Sequence, residues 1–218
     1  MASRLPDGPE GRAEAARVLA AGGVVAFPTD TVYGIAVAVE TPGGIERLFA
    51  AKQRPPDKAI ALLIADASQA SEIGEVNSAA KALADAFWPG GLTLVLHLRP
   101  DRALPAALTG DATIPHPKVG LRVPDHDAPR ALARAVGPLP TTSANRSGEP
   151  EAGDAEELDA QLGAALDLIV DGGAANGGPA STVVDTTVDP VVILREGAIS
   201  LEAIDRCLAS AHLPGVGR

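Results

Sequence analysis

Four short stretches place polar side chains where a core-forming chain has little use for them. The first, Pro28-Thr29-Asp30-Thr31-Val32-Tyr33-Gly34, sets three hydroxyls between two apolar runs and is longer than a tight hairpin needs. It offers donors at one strand end, or else is a turn with local side-chain to backbone bonds. The second, Lys52-Gln53-Arg54-Pro55-Pro56-Asp57-Lys58, packs three cations into seven residues of an acidic chain. It falls between a helix and a strand, where α/β folds bind ligands. Lys52 alone is what a helix C-terminus favours. Arg54 and Lys58 follow the helix, and a bent loop would converge them on one polyphosphate, Arg as a fork and Lys as a point charge.

The third stretch, Thr141-Thr142-Ser143-Ala144-Asn145-Arg146-Ser147-Gly148, follows a short strand at Leu139-Pro140. It reads as a donor-rich, anion-friendly loop or as an ordinary polar connection. No nucleophile-elbow pattern surrounds Ser143, so a covalent serine mechanism is not expected. The fourth pairs Ser181-Thr182 with Arg195-Glu196-Gly197. Ser181 begins one strand and Arg195 ends the next, so antiparallel pairing brings them together at one sheet end. Arg122, ending Gly120-Leu121-Arg122-Val123, would join them or simply be exposed. Neither a P-loop nor a G-x-G-x-x-G turn occurs, and Gly172 to Gly178 reads as a surface loop. The four histidines show no ligand spacing, and Cys207 reads as a buried apolar residue in a helix.

The elements that must carry these groups alternate along the chain. Helices are expected over Pro9–Ala21, from Thr41-Pro42 through Lys52, and over Asn77–Trp88, Ala128–Val136, Asp154–Leu162 and Ser200–Ala209. Strands are expected over Val24–Phe27, Ile35–Val39, Ala59–Ala65, Leu92–Leu98, Val119–Val123, Leu166–Val170, Thr182–Asp185 and Val191–Leu194. The links from 27 to 35 and from 185 to 191 are too short for helical crossovers, so those pairs run antiparallel or lie apart. The class is therefore α/β with a mixed twisted sheet, and the tail from His212 to Arg218 is expected to fray.

Composition narrows the function. The chain has 218 residues, 46% hydrophobic and 2% aromatic, with a net charge of −10. Length and apolar content suit one domain, 1–218, with an aliphatic core. Few aromatics and a negative surface disfavour general nucleic-acid binding. One cysteine excludes an internal disulfide and a cysteine-based zinc cluster. With no apolar run near the roughly 18 to 20 residues of a membrane helix, and a polar N-terminus, a cytoplasmic protein with no membrane partner is expected.

Taken in order, VVAFPTDTVYG, AKQRP, FWPGGLTLVL, GLRVP, TTSANRSG, ASTVVD and ILREG resemble the YrdC-like family of threonylcarbamoyl-AMP synthases from about Gly22 to Ile204. Lys52/Arg54 and Ser143/Asn145 match its K-x-R and S-x-N pairs. The resemblance implies an open twisted mixed β-sheet with packed helices. It implies synthesis of L-threonylcarbamoyladenylate from L-threonine, bicarbonate or CO2, and ATP with Mg²⁺, releasing pyrophosphate. Downstream tRNA threonylcarbamoyl-transfer proteins would use the product, with a weak tRNA contact of its own conceivable. Thr31, Arg122, Thr141 and Ser181 would then hold threonine, with Arg122 on its carboxylate. Lys52, Arg54, Lys58, Ser143, Asn145 and Arg195 would hold ATP. Lys52 and Arg54 would act electrostatically, without a covalent nucleophile, and no metal ligand is expected from the protein. Two alternatives remain: a module making carbamoyl-AMP from carbamoyl phosphate, and a non-catalytic RNA-binding paralogue.

Overall fold

The computed structural model describes residues 2–52, 60–109, 115–146, 148–175 and 177–217. In chain order the first elements are β1 (Ser3–Pro6), α1 (Pro9–Ala20), β2 (Val25–Phe27), β3 (Gly34–Ala36), α2 (Gly44–Lys52) and β4 (Ala61–Leu63). After a 3₁₀ turn come α3 (Ala70–Ile73), β5 (Gly74–Glu75), α4 (Ser78–Phe87), β6 (Leu92–Leu98), α5 (Ala106–Thr109) and β7 (Lys118–Arg122). The rest are α6 (Asp127–Val136), β8 (Leu139–Ser143), α7 (Ala155–Leu162), β9 (Leu168–Asp171), β10 (Thr182–Asp185), β11 (Val192–Arg195) and α8 (Leu201–Ser210). The strands form one mixed sheet in the order β1-β9-β2-β3-β8-β4-β7-β6-β10-β11, with β5 paired to the far end of β6. Both short-linked pairs, β2 with β3 and β10 with β11, are antiparallel, one of the two arrangements their connections allow. No helix among the described residues is long and apolar enough to cross a membrane.

Strand alternation divides the side chains between two faces. On the first face, Leu92, Leu94, Leu96 and Leu98 of β6 and Val119 and Leu121 of β7 join the larger core. Helices α2, α4, α7 and α8 cover it with Leu48, Leu83, Leu158 and Leu208. On the second face, Val25, Phe27, Leu63, Leu139 and Val170 form a smaller core beneath Ala15 and Leu19 of α1 and Leu132 of α6. Those two helices pack on each other and on β2, β4, β8 and β9. They roof only one half of the second face.

Helix ends follow local chemistry. Pro9 starts α1, and Gly22, at φ +88°, stops it. Asn77 accepts the Ala80 N–H to start α4. At α7, Asp154 accepts the Glu156 and Glu157 N–H groups, while Glu157 reaches back to the Gly153 N–H. Helix α2 begins at Gly44, not at Thr41-Pro42, because Gly43 sits at φ +75°, outside helical space. Strand β1 escapes the apolar-run criterion because it is a polar edge strand, with exposed Arg4, zipped in parallel to β9. Through Gly217 the tail is not frayed: Leu213 N–H bonds the Leu208 carbonyl, Val216 N–H bonds Asp205 Oδ1, and Gly217 N–H bonds the Val191 carbonyl, while Arg218 lies outside the described residues. Those bonds, unlike apolar spacing, leave no trace in sequence.

Candidate active site

The half of the second face that α1 and α6 leave uncovered is the floor of a cavity of about 380 Å³, within the usual span for a small-molecule site. Register fixes which side chains rise from this floor. Leu63 pairs with both Leu139 and Arg122, so Arg122, Gly120 and Lys118 share the face of the smaller core. Gly120 pairs with Val95, and Thr93 with Val183, which brings β6 and β10 onto the same face. Thr31, Arg122, Thr141, Ser143, Ser181 and Arg195 all line this one space, although five segments supply them. The apolar part of the lining includes Ile60, Leu63, Val95, Leu108 and Leu194, the last 58% exposed.

The polar end is built on Arg122, which is 7% exposed. Its Nε donates to the Gly90 carbonyl at 3.0 Å and its Nη2 to Asp30 Oδ1 at 2.7 Å. Longer contacts of 3.3 Å run from both terminal nitrogens to Thr31 Oγ1. Thr29 Oγ1 accepts the Thr31 N–H and donates to the Val32 carbonyl, which folds the Pro28–Gly34 stretch into a compact turn. The turn reading of that stretch holds in these bonds, and Thr29 and Thr31 also line the cavity. Thr141 Oγ1 donates to the carbonyl of Leu139 in its own strand.

At the opposite wall, Arg195 donates through Nε and Nη2 to the Ser181 carbonyl, at 3.1 and 2.8 Å, and through Nη2 to Ser181 Oγ. The Ser181 and Thr93 hydroxyls share a further bond of 2.8 Å. Strand ends 181 and 195 meet as the antiparallel pairing demands. Burial, and then the charge of Arg122, push the Arg195 guanidinium below its ordinary value, while Glu151 pulls it back. Two neighbouring cations that disfavour each other make a space whose energy falls when an anion enters.

Lys52 and the S-x-N pair meet at Ser143, which itself lines the cavity. The Lys52 ammonium, 3% exposed, donates to the Ser143 carbonyl at 2.7 Å, to Ser143 Oγ at 3.0 Å and to Asn145 Oδ1 at 3.0 Å. Asn145 in turn donates to the carbonyls of Arg146 and Glu149. Lys52 therefore ties together two segments about ninety residues apart. The reading of Thr141 to Gly148 as a loop is corrected in its first part. Thr141–Ser143 completes β8, between β3 and β4, and only the residues after it turn away. Arg54 and Lys58 lie outside the described residues.

Among the polar lining residues, Lys118, Thr93, Thr109 and Glu151 escaped the sequence reading. Lys118 donates to Asp185 Oδ2 at 2.9 Å. Burial favours a neutral Asp185, but bonds from Thr187 and Lys118 outweigh it and hold the carboxyl below its usual range. Lys118, Gly120 and Arg122 recur at every second position, a period-2 signal for a non-core face. Thr93 gave a similar signal, two and four residues before Val95 and His97 of the same strand, and Glu151 gave none.

Comparison with known proteins fits this geometry. The Sua5/YciO/YrdC family profile, described as "Telomere recombination", matches residues 17–197. A protein of Bacillus subtilis (strain 168) named threonylcarbamoyl-AMP synthase is 38% identical over 203 residues, covering 92% of this chain and 57% of that one. The chain thus spans little more than half the length of that relative. The crystal structure of Pyrococcus abyssi Sua5 complexed with L-threonine superposes with a TM-score of 0.85 at 33% identity, covering 95% of this chain and 60% of that one. Escherichia coli YciO superposes with a TM-score of 0.82 at 29% identity, covering 94% of this chain and all of the other. Its open mixed sheet, its ordered motifs and these matches agree: the chain belongs to the Sua5/YciO/YrdC family.

Proposed function

We propose that this protein is an L-threonylcarbamoyladenylate synthase, acting on L-threonine, bicarbonate or CO2, and ATP, and releasing pyrophosphate. The observation that carries the reading is the convergence of Thr31, Arg122, Thr141, Ser143, Ser181 and Arg195 on one cation-bearing cavity. The L-threonine named with the Pyrococcus abyssi structure supports the amino acid as one occupant.

The division of labour follows from charge and position. Arg122, with Thr31 beside it, takes the threonine carboxylate, and Thr141 and Ser181 border the same occupant. Arg195 faces the nucleotide phosphates. Lys52 acts on the nucleotide side through Ser143 and Asn145, and Arg54 and Lys58 complete the phosphate contacts. The amine captures CO2 as a carbamate with loss of a proton, a carbamate oxygen attacks the α-phosphorus, and pyrophosphate leaves. No protein nucleophile is needed. Placement of the reactants and fixed positive charge at the oxygens where charge grows lower the barrier.

Among the described residues no group of three or more His, Cys, Asp or Glu side chains could hold a metal ion. Mg²⁺ would come with ATP and neutralise phosphate charge, and Glu151 is a carboxylate in the cavity lining. The product would pass to cytoplasmic proteins that modify tRNA, with at most a weak tRNA contact here.

The test is pyrophosphate release from Mg·ATP and bicarbonate, with and without L-threonine, and with carbamoyl phosphate in its place. Threonine-dependent release supports the assignment. Release that depends on carbamoyl phosphate moves the protein to carbamoyl-AMP chemistry. No turnover with retained RNA points to a binding paralogue.

A further inference from the structure

Asp30 does not line the cavity, yet it touches the residue on which the amino-acid end of the cavity is built. Its Oδ1 lies 2.7 Å from Arg122 Nη2, with the two side chains 14% and 9% exposed. A guanidinium taken so far from water needs a counter-charge, and any nearby carboxylate would satisfy that need. The geometry does more. Arg122 Nε is held by the Gly90 carbonyl and Nη2 by Asp30, from two separate loops. Two bonds at different corners of a planar fork fix both its plane and its rotation within that plane.

Donor counting says what is left over. A guanidinium carries five N–H groups. One is spent on Gly90 and one on Asp30, and the two contacts to Thr31 Oγ1 are long, at 3.3 Å. The Nη1 side is thus the least engaged with protein. The carboxylate has an electrostatic task as well, since the charge of Arg122 weighs on Arg195. An anion behind Arg122 lets the two cations stay close while both face the cavity.

We propose that Asp30 is a positioning residue for the amino-acid substrate: its carboxylate, with the Gly90 carbonyl, sets the Arg122 fork so that the remaining donors meet the substrate carboxylate. The inference rests on the synthase reading and goes beyond it by giving carboxylate selectivity to a residue outside the cavity.

The experiment measures calorimetric binding of L-threonine and of L-threoninol, which lacks the carboxylate, to the full chain and to Asp30→Asn. The wild-type preference for threonine over threoninol should fall about tenfold in Asp30→Asn, with threoninol affinity little changed. In an Arg122→Gln background, Asp30→Asn should have no further effect on that preference. An unchanged preference, or equal loss of both ligands, overturns the proposal. Should Asp30→Asn fail to fold, Asp30→Glu keeps the charge and moves it by a methylene. It should lower the preference, and an unchanged ratio again overturns the role. A wild-type chain that binds no threonine overturns the synthase reading and this role with it, whereas threonine binding with an unshifted ratio removes Asp30 alone.

Discussion

One face of one sheet is used in two ways. Beneath α1 and α6 it carries Val25, Phe27, Leu63, Leu139 and Val170, nearly closed to water. Farther along the sheet, at β7, β6, β10 and β11, the same face carries Thr93, Lys118, Gly120, Arg122, Ser181 and Arg195. Backbone geometry is shared, and β4 and β8 contribute to both halves. The difference is the roof. A roofed half demands apolar side chains, because a buried polar group without a partner costs free energy. An unroofed half is free to hold polar groups, provided they are braced, as Arg122 is by Asp30 and Arg195 by Ser181. Stability should therefore reside in one half and ligand recognition in the other.

The largest effect expected is on the roofed side. Leu132 is fully buried in the smaller core, and Leu132→Ala should cost about 3 kcal/mol in chemical denaturation. The KM values for threonine and ATP should stay near wild type, and a large rise in either would show the two halves to be coupled. Next comes Arg195→Met. Loss of this cation should slow pyrophosphate release about 10²-fold, as removal of one preorganised donor typically does. Stability should move by no more than about 0.5 kcal/mol, since burial and Arg122 already disfavour the charge. A strongly destabilised Arg195→Met would break the division.

The two halves were not equally legible. Apolar runs gave most of the sheet, including β6 from Leu92 to Leu98 to the residue, because burial on one face demands leucine at every second position. Short links excluded parallel pairing for two strand pairs, and both prove antiparallel. What escaped is held by backbone bonds without an apolar signature: β1 at the edge, the two-residue β5, and the tail bonded to Val191. At the site, residue types were visible but partners were not. Lys52 finds Ser143 and Asn145, and Arg122 finds Asp30, across about ninety residues of chain. Such pairings depend on strand order, which local propensity does not encode. Lys118 and Thr93 were hidden for another reason: Lys118 precedes the strand expected from Val119, and Thr93 sits among the leucines of β6.

Gly120 separates the two demands most sharply, although its effect is the smallest. A Cβ there would meet Thr93 Cγ2 at 3.5 Å and Ala61 Cβ at 3.6 Å, ordinary contact distances, on the cavity face. Glycine in a strand interior is about 0.5–1 kcal/mol less favourable than alanine, so Gly120→Ala should raise thermal stability slightly. The added methyl takes space from the cavity floor, so the KM for substrate should rise. At Gly34 a Cβ would come within 3.0 Å of Thr141 Cγ2, and alanine should destabilise instead. Stability gained while KM worsens at Gly120, with stability lost at Gly34, would show that the open floor is kept open for ligand. A Gly120→Ala protein that is more stable and binds its substrates unchanged would mean that they lie elsewhere in the cavity.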